Sequence, residues 1–495
     1  MDFSISNLKL SALNCKLNRG LKMNASLIII ILYIAMLFVI SSFAKRRVSK
    51  GGESYTLAGR GLSTPLVACS LIGLAIGGAS TIGVAEQAYG IGLAAGWYTV
   101  AWGVAAIVMG LVTAEKYRNF NVSTVPELFG KFYDEKGRFI CVICQMIILI
   151  VVVSLQYIAG GSILSSLLPG VFTLKSGMVV SACVFIGITF MGGMWSAGLC
   201  NLFNVPLKYA GIILCTLLAV ASTGGLENIR LNLPQNVPYF SFTQGTGIWI
   251  ILSWFLIMIT QVMSMQGPVQ LAFAAKDSQT AKKGFIIGGL CMIPIGFLCA
   301  LIGMSAKVAF PDVSATLALP KMILSLNPVA AGITLAALWA ADVSTACNLL
   351  LGASTLFSQD IYKKSINPKV DDKKYLIINK VSVIVLGVFT FILALSISGI
   401  LKTISIGLSL CTAFTIVFLF TIFCPKLCRK GSAFYTTLAS IIVLFVWQVV
   451  PSFRIFPHVI FMEWLVCLCI FLLIAVIDKH NIFTPEQLKS IKDIG

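Results

Sequence analysis

Charged residues are scarce in this 495-residue chain: Asp, Glu, Lys and Arg make up 11% of it, whereas hydrophobic residues make up 58%. That composition excludes an ordinary soluble protein, in which about a quarter of the residues are charged. Only two histidines are present, which argues against a catalytic centre that uses several histidines. The G-x-x-x-x-G-K-[ST] phosphate loop is also missing, which leaves ATP-driven pumping unsupported. We therefore do not expect an enzyme.

Long hydrophobic runs dominate the sequence instead. Each approaches the length of about 20 residues that a helix needs to cross a bilayer. They predict an all-α integral membrane protein with about thirteen transmembrane helices, near 24–44, 64–89, 92–114, 138–168, 175–192, 199–222, 245–268, 284–306, 327–357, 374–398, 401–424, 432–450 and 458–478. Nothing between these runs is long enough for a soluble domain.

The formal net charge of +18 would also suit a nucleic-acid-binding protein, but its distribution argues otherwise. Of the 36 Lys and Arg residues, 24 lie at 45–60, 115–138, 275–284, 358–374, 425–430 and 478–495. These loops alternate along the chain, and basic loops stay on the cytoplasmic side of a membrane. We expect a multi-pass protein of the cell membrane with a cytoplasmic tail, 479–495. Its expected partners are the lipid bilayer and a small solute, with no nucleic acid and no obligate protein partner.

The first 23 residues do not fit this topology, because they place basic residues on the predicted outer side. Met23 stands directly before the first hydrophobic run, so residues 1–23 are a candidate untranslated segment. The first span, 24–44, is too long for the hydrophobic part of a secretory signal, and we expect it to be retained as a peripheral helix.

Two spans carry helix-breaking residues inside the membrane. Gly77 and Gly78 interrupt the second span, and Gly267-Pro268 interrupts the seventh. Unwound backbone is tolerated at membrane depth only where protein or a water-filled cavity satisfies it. Small residues that merely allow close helix packing are the alternative explanation for the glycines.

The two interruptions lie five spans apart. Breaks at matching positions of two halves are typical of inverted-repeat transporters with a binding site at mid-membrane. We therefore predict a 5+5 core made of residues 64–222 and 245–424, in which the first and the sixth core helices are broken. The first span and the last two, within 432–478, are predicted to be peripheral.

The ninth span, LWAADVSTACNLLLGASTLFSQDIY at 338–362, carries adjacent hydroxyls on Ser344 and Thr345. Together with Ala341 they are spaced i, i+3, i+4 and so share one helix face. Small hard cations take oxygen ligands, which makes this face a candidate cation site. The alternative is that both hydroxyls bond to carbonyls one turn earlier in their own helix.

These segments resemble the sodium:solute symporter family, which includes carriers of proline, pantothenate, sugars and sialic acid. The resemblance covers about residues 45–425. It rests on the ninth span, on the second-span ASTIG…AYGIGLA region, on GGMWSAGLCN at 192–201 and on QLAFAAKDSQTAKKG at 270–284. It implies a secondary active transporter, a Na⁺-coupled symporter of a small polar organic solute that works by alternating access. No organic cofactor is expected.

The resemblance implies one sodium ion between the second and the ninth spans. Its ligands would be the backbone carbonyls of Gly73, Ile76 and Ala341 and the hydroxyls of Ser344 and Thr345. Five neutral oxygens suit a monovalent ion, since carboxylates would hold it too tightly for release.

The resemblance also implies a solute site beside the break. The candidate solute-binding residues are Gly77, Gly78, Ser80, Gln87, Gln261 and Gln266. Each glutamine could instead only satisfy backbone groups freed at Gly267-Pro268. The tryptophans Trp97, Trp102 and Trp254 are interpreted as interface or packing residues.

The chain departs from the family pattern at several positions. Asn201 stands where the family commonly has an aspartate, and Cys347 and Asn348 replace hydroxyls, which argues against a second sodium. Glu86 replaces a small residue on the second span. It could favour a cationic or zwitterionic solute, or simply line the outer vestibule.

Two further charges, Lys208 and Asp342, lie on the two spans that flank the cation site. Our hypothesis is that Lys208 approaches Asp342 and the Ser344–Thr345 site, so that its ammonium replaces the sodium ion and couples transport to protons. A static ion pair, or a lysine that reaches to the membrane surface, is the alternative. The competing functions are thus a proton-coupled or uncoupled carrier and a transporter-like membrane sensor.

Overall fold

The computed structural model describes residues 27–48, 51–396, 407–478 and 482–483. In these parts of the chain every regular element is a helix, apart from an isolated bridge between Leu62 and Ala275. The all-α class is confirmed. The predicted segment 1–23 and most of the tail 479–495 lie outside the described residues.

The helices of the first half are α1 (Leu27–Val48), α2 (Gly52–Thr56), α3 (Thr64–Ala75), α4 (Val84–Ile91), α5 (Trp97–Val112), α6 (Ala114–Asn119), α7 (Val125–Phe132), α8 (Glu135–Leu167), α9 (Leu174–Ser222) and α10 (Gly225–Asn232). Those of the second half are α11 (Ile248–Ser264), α12 (Gln266–Ala274), α13 (Ser278–Ala309), α14 (Ala315–Ser325), α15 (Pro328–Leu356), α16 (Asp372–Ala394), α17 (Cys411–Phe423), α18 (Ser432–Val449) and α19 (Val459–Ile477). A π-helical turn, Ala79–Gly83, precedes α4, and another, Phe357–Ile366, continues α15.

Nine of the described helices are long and apolar enough to cross a membrane, or ten when the bent pair α11–α12 counts as one span. The expected number of about thirteen stays a prediction, because several neighbouring predicted spans are joined into one helical stretch in this count. One continuous stretch covers Ala79–Val112, and α9 alone covers the fifth and sixth predicted spans. The eleventh predicted span, 401–424, is described only over Gly407–Phe423. The multi-pass membrane class itself is confirmed.

The second predicted span is broken near its middle, as its glycine pair predicts. α3 ends at Ala75, and Ile76 has φ −91° and ψ 77°, far from helical values. Gly77 packs so closely on α15 that a Cβ there would lie 2.6 Å from Thr345 Oγ1. Glycine at this position lets the broken backbone reach α15.

The seventh predicted span is also broken, but slightly earlier than predicted. α11 ends at Ser264, Met265 has φ −77° and ψ 140°, and α12 leaves at an angle of 47°. The ring of Pro268 would clash with the carbonyl of the residue four positions earlier in a continuous helix, which is Ser264. Since proline is tolerated in the first turn of a helix, the chain turns at Met265 and Gly267-Pro268 opens the next helix.

α15 lies at the centre of the molecule. Nearly all its side chains from Leu335 to Leu356 are buried, against α3, α8 and α9. It runs through Ser344 and Thr345 without a break and presents them to the broken end of α3. The candidate cation site is therefore placed by one continuous helix and one interrupted helix.

α13 packs backbone to backbone on the α4–α5 segment. Three of its glycines, spaced seven residues apart, lie along one face: Gly289, Gly296 and Gly303. A Cβ on each would collide with a backbone oxygen of the facing segment, at Gly103, Gly96 and Ala85 respectively. Small residues let membrane helices approach closely in this way. The contact joins the two halves of the predicted core.

The basic loops meet on one face of the molecule. Hydrogen bonds and ion pairs link them in pairs: Arg60 to Val122, Arg118 to Ala275, Lys364 to Glu127 and Arg138 to Asp360. Loops that alternate along the chain are thus brought together, as a common membrane face requires. The assignment of this face to the cytoplasm stays a prediction.

The kink of α9 at Gly193 gives a first test of the fold. Its φ of 50° and ψ of −130° favour glycine, and a Cβ there would collide with the carbonyl of Tyr55. We expect Gly193→Ala to lower the free energy of unfolding by about 2–4 kcal/mol, because backbone strain and overpacking add. Chemical unfolding of the purified protein in detergent measures the loss.

Gly198→Ala, on the same helix, is the matched control. A Cβ at Gly198 would meet its nearest atom at 3.6 Å, an ordinary contact. This variant should change the free energy of unfolding by less than about 1 kcal/mol. Equal losses in the two variants would contradict the role given to the kink.

Candidate cation and solute site

The break after α3 exposes backbone oxygens in the interior of the helix bundle. The five consecutive carbonyls from Gly73 to Gly77 each lie within hydrogen-bond distance of a side-chain donor. Ser80 donates to the Ala75 carbonyl at 2.6 Å and Thr81 to the Gly77 carbonyl at 3.0 Å. Buried carbonyls without a partner are costly, so these bonds allow the helix to stay open.

Lys208 points its ammonium into this group of oxygens. Its Nζ lies 2.6 Å from Ser344 Oγ, 3.0 Å from the Ile76 carbonyl oxygen and 3.3 Å from the Gly73 carbonyl oxygen. The residue is fully buried, so it does not reach to the membrane surface. An ammonium has three N–H donors, one for each of the three oxygens.

Ser344 and Thr345 face the break from α15. Thr345 Oγ1 lies 3.0 Å from the Gly73 oxygen and 3.2 Å from the Leu74 oxygen, and Ser344 Oγ lies 2.9 Å from the Gly73 oxygen. Both hydroxyls also reach the carbonyl of Ala341, at 2.9 and 3.1 Å. The two hydroxyls therefore contact the broken end of α3 and also bond to a carbonyl one turn earlier in α15, so the two expected arrangements occur together. Of the five oxygens assigned to sodium by resemblance, three contact the lysine ammonium.

Of the expected contacts of Lys208, the one with Ser344 is present, whereas the carboxylate of Asp342 lies on a different face of α15. Residues two positions apart lie on different faces of a helix, so Asp342 and Ser344 diverge. A Cβ at Gly160 would lie 2.6 Å from Asp342 Oδ2, which places the carboxylate against α8. Within the described residues no ion pair joins it to Lys208, and neither carboxylate oxygen has a hydrogen-bond partner.

A cavity of about 50 Å³ opens beside the break. One water molecule needs about 10–15 Å³ on the same scale, so the cavity suits a compact polar group. Its polar and aromatic lining consists of Ser80, Tyr98, Trp102, Gln156, Gln261 and Thr345. Among the lining residues that the structure describes, none is Asp, Glu, Lys or Arg.

Four of the six candidate solute residues line this cavity: Gly77, Gly78, Ser80 and Gln261. The amide nitrogen of Gln261 lies 3.4 Å from Met265 Sδ, while its Oε1 is buried with no partner among the described residues. An unpaired buried acceptor beside a cavity is a natural contact for a donor on a bound solute.

The other two candidate glutamines lie elsewhere. Gln266 accepts from the Val125 backbone N–H at 2.9 Å and donates towards Gln270 at 3.3 Å, so it satisfies backbone groups around the second break. Gln87 lies on α4 outside the cavity lining, as does Glu86 beside it.

Three of the polar and aromatic cavity residues are not among the site residues predicted from the sequence. Tyr98 and Trp102 lie on α5, and Gln156 lies on α8. Gln156 carried a usable signal, because it is a polar residue inside the apolar run VVVSLQYIAG. Trp102 carried no such signal, since the sequence around an aromatic residue in an apolar span does not show whether the ring packs or lines a cavity. Trp254 does pack, edge-on against Tyr98 at 6.0 Å.

Comparison with known proteins gives matches over most of the chain. The model of the sodium:solute symporter family matches residues 55–439. The sodium/glucose cotransporter of Vibrio parahaemolyticus is 24% identical over 416 residues, which are 74% of either chain. Sodium/proline symporter 2 of Staphylococcus saprophyticus is 22% identical over 444 residues, which are 85% of this chain and 86% of the other.

Solved structures with a similar fold include a Na⁺-coupled sialic acid symporter in a substrate-bound, outward-open state. The match has a TM-score of 0.80 at 18% identity, and it covers 92% of this chain and 98% of the symporter chain. A nucleobase-cation-symport-1 family transporter in a closed conformation has a TM-score of 0.63 at 15% identity, with coverages of 90% and 99%. At these identities the likeness shows the fold alone.

Ser344→Ala tests the contact between α15 and the lysine. It removes one of the three acceptors of the ammonium, and a buried donor left without an acceptor costs about 1–3 kcal/mol. We expect the free energy of unfolding, measured in detergent, to fall by that amount. Ser354→Ala is the control, since Ser354 is equally buried on α15 but donates its hydrogen bond to the Leu351 carbonyl in its own helix, at 2.9 Å. Similar losses would contradict the importance of the contact.

Proposed function

Because the chain belongs to the sodium:solute symporter family, we propose that it carries a small polar organic solute across the cell membrane by alternating access. The observation that carries the proposal is the cavity beside the first helix break, lined by residues of the break, α5, α8, α11 and α15. A site at mid-membrane next to interrupted helices is what such a carrier needs, because the surrounding helices can open it to either side in turn. The family and its named members are transporters rather than enzymes.

The lining supports a compact solute without net charge. The hydroxyl and amide groups of the lining, together with the rings of Tyr98 and Trp102, suit a molecule with both polar and apolar parts. A charged solute would find no opposite charge among the described lining residues and would pay the full cost of desolvation. Glu86, proposed as a contact for a cationic solute, lies outside this lining.

Two candidates account for the coupling. The first is sodium symport, supported by relatives named as sodium cotransporters and symporters and by oxygens that suit a monovalent cation. The second is a proton-coupled or uncoupled carrier in which the ammonium of Lys208 replaces the ion. It is favoured by the three contacts of Nζ.

A ligand screen followed by counterflow tests the carrier function without assuming a coupling ion. Purified protein is screened by thermal shift against amino acids, sugars and carboxylates, because a bound ligand raises the melting temperature. The best ligand is then tested for counterflow, in which unlabelled solute inside liposomes drives entry of labelled solute. We expect one class of neutral solute to stabilise the protein and to exchange. Binding without exchange would favour a transporter-like sensor, and no binding at all would contradict both.

Gln261→Met tests the solute site. The variant keeps the bulk of the side chain but loses the unpaired acceptor, so we expect affinity for the identified solute to fall about tenfold, as for one lost hydrogen bond. Calorimetric titration measures it. Gln87→Met, the same change on α4 outside the cavity lining, should leave affinity unchanged. The reverse order of effects would place the solute nearer to Gln87.

A further inference from the structure

We infer that the ammonium of Lys208 is a tethered substitute for the sodium ion implied by the family resemblance, so that transport requires no sodium at this position. The inference rests on the proposed carrier function, since it states which cation that carrier uses. It makes Lys208 a specificity-determining residue rather than a contact for the solute, whose cavity it does not line.

The first reason is that donors and acceptors match in number. The three N–H groups of the ammonium meet three oxygens, at 2.6, 3.0 and 3.3 Å. Two of these oxygens, from Gly73 and Ile76, belong to the broken end of α3, and the third, from Ser344, belongs to α15. The lysine thus bridges the same two elements that a bound ion would bridge.

The second reason is that a sodium ion cannot share these oxygens with the ammonium. An ion bound to Gly73 and Ile76 would stand within a few ångströms of Nζ. Two positive charges that close repel strongly in the membrane interior, where the local dielectric constant is low and little salt screens them. Asp342, which could offset a second positive charge, forms no ion pair with Lys208 in the described part of the chain.

The third reason is that, in the described structure, the contacts of the lysine ammonium are all with the oxygens around the break. Lys208 is fully buried on α9, and all three of its contacts point inward to the break. Within the described residues no ion pair joins Lys208 to an acidic side chain. Its charge is held by neutral oxygens, as a sodium ion would be.

A tethered cation differs from a free one in a way that can be measured. A coupling ion delivers energy only because it binds on one side of the membrane and leaves on the other. The lysine ammonium stays with the protein through the cycle, so a sodium gradient has no binding step through which to act at this position. Solute exchange should then proceed in the complete absence of sodium.

The wild-type protein in liposomes gives the direct test. Counterflow of the identified solute is measured in sodium and in choline at equal ionic strength, with equal pH on both sides. We expect the two rates to agree within about twofold. A loss of more than about tenfold in choline would overturn the inference while leaving the carrier function intact. Absence of counterflow in both salts would instead overturn the proposed function.

Lys208→Ala tests the substitution itself and needs no solute. The change leaves the five oxygens in place and empties the position of the ammonium. We expect sodium, but not choline, to raise the melting temperature of this variant by several degrees and to leave that of the wild type unchanged. The double variant K208A/S344A should lose the response, because one of the oxygens is gone.

Lys175→Ala, an exposed lysine on the same helix, is the matched control and should behave like the wild type. Lys208→Ser is made in parallel, since emptying a buried position can prevent folding. No sodium response in folded Lys208→Ala or Lys208→Ser would overturn the inference, as would a response in the wild type. If neither variant folds, the comparison of sodium and choline in the wild type decides.

Discussion

A helix that opens inside a bilayer has to find hydrogen-bond partners for the carbonyl groups that it releases, and this demand organises the centre of the protein. The oxygens from Gly73 to Gly77 find them on the π-helical turn Ala79–Gly83, on α9 and on α15. Since no single helix supplies them all, the break is stable only while these helices are in contact. The same contacts between helices therefore determine both the packing of the core and the geometry of the candidate site.

The two breaks meet the same demand with different chemistry. At the second break, neutral groups serve: Tyr117 donates to the Met263 carbonyl at 2.6 Å and Gln145 to the Ser264 carbonyl at 2.8 Å. At the first break a lysine ammonium takes part. A neutral amide or hydroxyl only satisfies the carbonyl group. A charged donor, in addition, occupies a position where a cation could bind. This contrast sets the first break apart as the one with a role beyond structure.

Both breaks and the pair of hydroxyls that faces the first break could be predicted from sequence, because glycine pairs, a Gly-Pro step and adjacent hydroxyls are local signals. The turn at Met265 was missed by two residues, since Pro268 acts on the residue four positions before it. The number of spans depends on whether α9, which bends at Gly193 without a loop, is taken as one span or two. The contact of Lys208 with Ser344 agrees with the hypothesis made from the sequence, but the position of Asp342 relative to the lysine could not be predicted. Asp342 and Ser344 are two residues apart, and only the crossing of α9 and α15 decides which one meets the lysine.

The glycine row of α13 limits how the core can move. With Gly289, Gly296 and Gly303 seated on opposing backbone, rotation of α13 about its axis would drive neighbouring side chains into the α4–α5 segment. Sliding by less than a full seven-residue step would do the same. Helices locked in this manner travel as one rigid piece, so any rearrangement that opens the cavity has to take place at other interfaces. The contact of α15 with the broken end of α3 is one such interface, because hydrogen bonds rather than closely packed backbones hold it together.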